Sequence, residues 1–168
     1  MQQLLITNLR IGFQANLTLG RKLAAGVNAR DMTVQPVAGV NHPAWILRHL
    51  SAYHPVVLDL LAGRTPEDPK HHRFGMLSSP EHDPGVYGPW EQVVSDYLGG
   101  GEAILAALDR LGSDDAHLAV LMHKMPVPRW QEKFPLVGSV LGYLLIHHEG
   151  FHLGQLSAWR RFQGMSGV

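Results

Sequence analysis

The last long segment of the chain carries the pattern that most restricts its fold. From residue 135 or 136 to residue 162, apolar residues recur every three or four positions, which is the spacing of one face of an α-helix. The stripe consists of Leu141, Leu144, Leu145, His148, His152, Leu156 and Trp159. Because two histidines occupy positions that otherwise hold core residues, we expect both imidazoles to face the interior of a helical assembly.

Three earlier segments predict further long helices, at residues 3–25, at residues 41–61 and from residue 89 or 90 to residue 111. Asn41 is a residue type favoured as an N-cap, and Pro43 is tolerated in the turn that follows. We expect a kink or break at Pro55 in the second helix and another at the glycines 99–101 in the third, since both residue types weaken a helix interior.

The connections between these segments are long. Residues 63–88 contain four prolines and several glycines, and loops of this length in a compact domain are commonly functional or disordered. Residues 114–122 predict a short helix, which the prolines at 126 and 128 end. No segment alternates with period two, so the sequence predicts an all-α four-helix bundle with long connecting loops, in a single domain spanning residues 1–168.

Composition excludes several classes of protein. The chain has 14 basic and 14 acidic residues and no basic run, which argues against nucleic-acid binding. It has no cysteine, so a disulfide framework, a thiolate zinc site and a cysteine nucleophile are excluded. No uncharged apolar run approaches the roughly 20 residues of a membrane span, and the N-terminal residues do not resemble a signal peptide. We therefore expect a cytoplasmic protein without a membrane partner.

Two histidines four residues apart on a helix lie one above the other and can bind a single transition-metal ion. A shared metal would also satisfy one ring nitrogen of each buried imidazole. Catalytic zinc-type sites commonly use three protein ligands and an open position, yet no Asp, Glu or His follows His152. The third ligand must come from elsewhere. Candidates near the second helix are His42, His49 and His54, and periodicity does not choose among them.

Glu149 gives the stretch a second interpretation, because His148-Glu149-x-x-His152 matches the H-E-x-x-H signature of zinc peptidases. In such an enzyme Glu149 would be the general base that acts on metal-bound water. Those peptidases usually take a third ligand downstream and hold substrate along an edge strand, and the sequence predicts neither. Glu149 lies about 100° around the helix from His148, so it either flanks the site or faces solvent, and we expect solvent.

Two motifs together resemble the DinB-like superfamily. The second predicted helix carries Trp-x-x-x-His-Leu at residues 45–50, and the last carries His-x-x-x-His-x-Gly-Gln at residues 148–155. The resemblance covers nearly the whole chain in helix order and length. It implies a four-helix bundle, commonly dimeric, that holds a divalent metal such as nickel or zinc at one end. It also implies that His49, His148 and His152 are the three metal ligands.

Superfamily members with assigned activities include transferases and isomerases that use bacillithiol, mycothiol or glutathione. By this resemblance the protein is a metal- and thiol-dependent transferase or isomerase of small molecules, in which the metal holds the thiolate of the cosubstrate. A non-catalytic metal-binding or stress-response protein is the alternative.

Four other features could belong to such a site. Arg48 could bind an anionic substrate, although a solvated helix arginine is the expectation, and Trp45 could form a substrate wall, although core packing is expected. Gln155 would form a hydrogen bond either near the metal or across the bundle. The loop at residues 63–88 either covers the mouth of the metal site or only wraps around the bundle.

Overall fold

A computed structural model describes residues 2–114 and 117–168. Its α-helices are α1 (Gln2–Ala24), α2 (Pro43–Leu61), α3 (Trp90–Gly112), the short α4 (Pro128–Gln131), α5 (Val137–Gly142) and α6 (Glu149–Phe162). A π-helical segment, Tyr143–His148, joins α5 and α6 into one long final helix. Within the described residues there is no strand, only an isolated antiparallel bridge between Lys124 and Leu136. The predicted all-α fold is confirmed.

The four long helices enclose one apolar core. Helix α3 packs against α1 and α2, and α6 packs against the same two helices from the other side. The largest fully buried side chains come from all four helices and include Phe13, Leu17, Ile46, Ile104 and Trp159. The final helix therefore has interior neighbours on more than one of its faces. No helix in the described part of the chain is long and apolar enough to cross a bilayer.

The start of α2 differs from the expectation by one residue. His42, not Asn41, is the N-cap, and its Nδ1 accepts a hydrogen bond from the Trp45 N–H at 3.2 Å. The other ring nitrogen of His42 lies 2.9 Å from the carbonyl oxygen of Glu81. Both nitrogens are thus engaged in fixing the helix start and the loop beside it. Asn41 instead donates a hydrogen bond to Gln155 on α6.

Neither helix is broken at the positions where a kink or break is expected. Helix α2 continues through Pro55, and α3 continues through its three glycines. The glycines permit close packing: a Cβ at Gly100 would overlap Nδ1 of His54, and one at Gly101 would lie 2.5 Å from Leu17 Cδ1. Packing between helices outweighs the helix-propensity cost of about 1 kcal/mol for each glycine.

The connections contain short 3₁₀ turns. The loop at residues 63–88 includes two of them, at Pro69–His71 and Pro84–Val86. The short helix expected at residues 114–122 is a 3₁₀ helix at His117–Met122, while residues 115 and 116 lie outside the described part of the chain.

Candidate metal centre

Three histidines from two long helices meet between α2 and the final helix. His49 lies on α2, His148 is the last residue of the π-helical segment, and His152 lies one turn further along α6. One ring nitrogen from each lies within 4.8 Å of the others, and the Nε2 atoms of His49 and His148 are 3.0 Å apart. This cluster could hold a metal ion, and among the described residues neither His42 nor His54 joins it.

The π-helical segment determines which side chains accompany His148. The N–H of Glu149 reaches the carbonyl of Leu144, five residues back, so this turn holds one residue more than an α-helical turn. Tyr143 and His148 are five residues apart and their rings lie 6.0 Å apart. Because the 3.6-residue period does not describe this segment, sequence periodicity could not place Tyr143 beside the cluster.

Hydrogen bonds orient two of the three imidazoles. The Nδ1 of His49 lies 2.6 Å from the carbonyl oxygen of Phe74, and the Nδ1 of His152 lies 3.0 Å from Oε1 of Gln155. Both acceptors require a protonated Nδ1, which leaves the Nε2 lone pair free to bind a metal. The Gln155 oxygen also accepts a hydrogen bond from Asn41 at 3.0 Å. Gln155 therefore acts both beside the cluster and across the bundle.

The electrostatic environment keeps the three histidines neutral. Burial lowers the pKa of His49 to about 4, helped by the nearby His152. Burial, together with the charges of His152 and His49, lowers the pKa of His148 to about 2. The pKa of His152 is also lowered by burial, which its hydrogen bond to Gln155 partly opposes. Neutral imidazoles can offer ring-nitrogen lone pairs, so the three together fit a divalent transition metal.

Trp45 packs in the protein interior and also forms part of the wall around the histidine cluster. Its indole ring stacks on His49 with centroids 4.5 Å apart, and it is only 5% exposed. Its Nε1–H donates a hydrogen bond to Ser78 Oγ at 3.1 Å, which ties α2 to the loop at residues 63–88. The same loop supplies the Phe74 carbonyl to His49, and its Met76 lines the cavity onto which the histidines open. The loop thus covers part of the histidine site.

A cavity of about 400 Å³ opens in front of the three histidines. Aromatic side chains form the largest part of its apolar lining, which consists of Trp45, Tyr53, Trp130, Phe134, Tyr143 and Phe151 together with Met76, Val140 and Leu144. Arg129 and Lys133 bring two cations to it.

Sequence reasoning missed most of the residues that line the cavity. Tyr53 lies one helical turn after His49, and that spacing could have identified it. Residues 128–134 carry no periodic signal that would have done so.

Glu149 does not face solvent as expected. It is 3% exposed, and the Tyr97 O–H of α3 donates a hydrogen bond of 2.6 Å to its Oε1. Burial raises the pKa of Glu149 to about 7. The expectation is wrong because α6 has interior neighbours on two faces, so a residue 100° away from His148 is still inside the bundle. Glu149 is not among the residues that line the cavity.

Arg48 is not a solvated arginine either. Its side chain is 18% exposed, forms an ion pair with Asp96 of α3 and donates a 2.6 Å hydrogen bond to the carbonyl oxygen of Tyr87. These contacts fasten the end of the long loop to α2 and α3. Arg48 does not line the cavity beside the histidines.

The histidines lie within a region that matches a known family. The model of the DinB superfamily matches residues 13–156, which include most of the chain and all three histidines. No curated protein and no solved structure matches the chain. With its helical bundle and a match over this length, the protein belongs to the DinB superfamily.

Proposed function

We propose that the protein is a metal- and thiol-dependent transferase or isomerase of small molecules, with His49, His148 and His152 as ligands of a nickel or zinc ion. The observation that carries the proposal is the cavity directly in front of three neutral histidines. No fourth His, Asp or Glu joins the cluster in the part of the chain that the structure describes. A structural zinc site usually has four protein ligands, so three with an adjacent cavity favour a site that accepts an exogenous ligand.

The chemistry follows from this arrangement. His49, His148 and His152 would hold a divalent ion, and such an ion would lower the pKa of a bound thiol and so favour its thiolate form. In a transfer reaction, the cosubstrate thiol loses its proton to solvent and its sulfur forms a bond to an electrophilic carbon. The leaving group departs with the electron pair of its bond to that carbon. The chain has no cysteine, which fits a nucleophile supplied by a small molecule.

Tyr53 is the residue best placed to assist the second reactant. Its ring contacts those of His49 and His148, with centroids 5.2 and 4.7 Å away, and it lines the cavity. None of the hydrogen bonds among the described residues involves its hydroxyl group. The Tyr53 hydroxyl is therefore available to donate a hydrogen bond to a leaving group or carbonyl oxygen of the substrate.

Elemental analysis of purified protein beside a His49→Ala variant tests the metal site. We expect about one nickel or zinc ion per wild-type chain and its loss in the variant. His147→Ala is the matched control, because His147 is an exposed neighbour of His148 outside the cluster. Full metal retention in His49→Ala would contradict the proposed ligand set.

Activity requires a second measurement. Metal-loaded protein is incubated with bacillithiol, mycothiol or glutathione and a panel of electrophiles, and conjugation or isomerisation is followed by mass spectrometry. Thiol-dependent turnover that His49→Ala abolishes is the expected result. Stoichiometric metal without any turnover across the panel would favour the non-catalytic metal-binding alternative.

A further inference from the structure

Lys133 is a cation at the cavity without an acidic partner. Its ammonium group lies 5.3 Å from the ring centroid of Tyr143 and 5.5 Å from that of Phe134. None of the ion pairs among residues 2–114 and 117–168 includes it, and the cavity lining contains no Asp or Glu. Lys133 is exposed, but the two aromatic rings lie within cation–π distance of its ammonium group, and the residue lines the cavity.

The other cation of the cavity is already neutralised. Arg129 forms two hydrogen bonds to the carboxylate of Asp68, at 2.7 and 2.6 Å. This bidentate pair satisfies the guanidinium charge and fixes the side chain as a wall. Lys133 is therefore the cavity cation that remains available to a ligand.

We propose that the cavity binds a compact aromatic carboxylate, whose carboxylate group pairs with Lys133 while its ring packs between the aromatic walls. This inference deepens the proposed function and rests on it, because it names the class of the second substrate. A single ammonium matches a monoanion, whereas a phosphate dianion would call for more donors. The aromatic walls favour a planar apolar body, and a cavity of about 400 Å³ limits the ligand to a small molecule.

The test uses 3-phenylpropanoate and its neutral analogue 3-phenylpropanamide as probes, titrated by NMR at low ionic strength. Chelator-treated protein is measured first, so that no metal can bind the carboxylate. We expect the wild type to bind the carboxylate about fivefold more tightly than the amide, the upper end for a solvent-accessible ion pair. That preference should decrease as salt is added.

Three variants test whether Lys133 causes the preference for the carboxylate probe over the amide. Lys133→Gln should bind both probes equally, while Lys133→Arg should keep most of the preference. Lys22→Gln, an exposed lysine of α1 away from the cavity, is the matched control and should behave as the wild type. Circular dichroism of each variant checks that the fold is retained.

Several outcomes would overturn the inference. It fails if neither probe binds, if the wild type does not distinguish the probes, or if Lys133→Gln keeps the full preference. A preference seen only in metal-loaded protein, and unchanged in Lys133→Gln, would mean that the carboxylate binds the metal instead. Failure of the proposed function is distinguishable, because it is read from metal content and thiol turnover rather than from these metal-free titrations.

Discussion

The three consecutive glycines of α3 have different surroundings and should respond differently to alanine. Gly99 is exposed, and a Cβ there would meet no atom within 4 Å. A Cβ at Gly100 would overlap His54 Nδ1 and lie 3.0 Å from its Cγ. A Cβ at Gly101 would lie 2.5 Å from Cδ1 of Leu17. Gly99→Ala therefore tests helix propensity alone, whereas Gly100→Ala and Gly101→Ala also test the packing between helices.

The expected magnitudes follow from two opposing effects. Alanine stabilises a helix interior by about 1 kcal/mol relative to glycine, so Gly99→Ala should raise the free energy of unfolding by about that amount. Overpacking a filled core costs about 1 to 3 kcal/mol. At Gly100 the obstacle is a rigid, buried ring, and we expect a net loss of about 2 kcal/mol. At Gly101 the leucine can change rotamer, so the net loss should be smaller, about 1 kcal/mol.

Urea and thermal unfolding of the metal-free proteins measure these differences. For a chain of 168 residues, 1 kcal/mol corresponds to roughly 2–4 °C in Tm. From the most to the least stable, the proteins should rank Gly99→Ala, wild type, Gly101→Ala and Gly100→Ala. A Gly100→Ala protein as stable as Gly99→Ala would show that α2 and α3 can move apart at little cost. The account of why the helix continues through its glycines would then be wrong.

Three further predictions concern the histidines and their neighbours. Gln155→Ala should weaken zinc affinity about 10- to 100-fold in a chelator competition, because His152 loses the acceptor that orients it. Tyr53→Phe should retain stoichiometric metal but lower thiol-dependent turnover by about 100-fold, because it removes a hydrogen-bond donor to the transition state. Unchanged turnover would show that the Tyr53 hydroxyl has no part in the reaction. Burial lowers the pKa of His54 to about 4. Between about pH 6.5 and that value, His54 is therefore protonated in the unfolded chain but stays neutral in the folded protein, which destabilises the folded state. The metal-free wild type should therefore lose about 2 kcal/mol more than His54→Leu between pH 8 and pH 5, and parallel pH profiles in urea unfolding would contradict this.

The sequence predicted the helices because their apolar period is carried by many residues at once. The bounds of α1, α2 and α3 lie within two residues of those predicted. Several of the predictions that failed rested on a single local residue type. Pro55 and the glycines 99–101 do not break their helices, and Asn41 is not the cap of α2. Local propensities of about 1 kcal/mol per glycine are smaller than the packing between helices, which the sequence does not display.

The third histidine shows where sequence reasoning stops. His42, His49 and His54 are all buried, so neither periodicity nor burial separates them. Their partners on other elements do separate them: His42 caps α2 beside Glu81, and His54 packs against Gly100. Only His49 has the pair from the final helix across from it. Such contacts join residues that are far apart in the chain, and here the family resemblance, not the periodicity, pointed to His49.

Glu149 and Tyr143 reveal a limit of treating a helix as a single stripe. The stripe places His148 inside correctly, but it assigns the residue 100° away to solvent, whereas Tyr97 from α3 meets Glu149 in the interior. Tyr143 reaches the cavity because the π-helical turn brings residues five apart onto one face. The Glu149 carboxylate does not line the cavity, whereas the Tyr143 ring lines it and lies 5.3 Å from the ammonium of Lys133. The peptidase-like signature therefore becomes, in three dimensions, a histidine pair whose intervening glutamate belongs to the core.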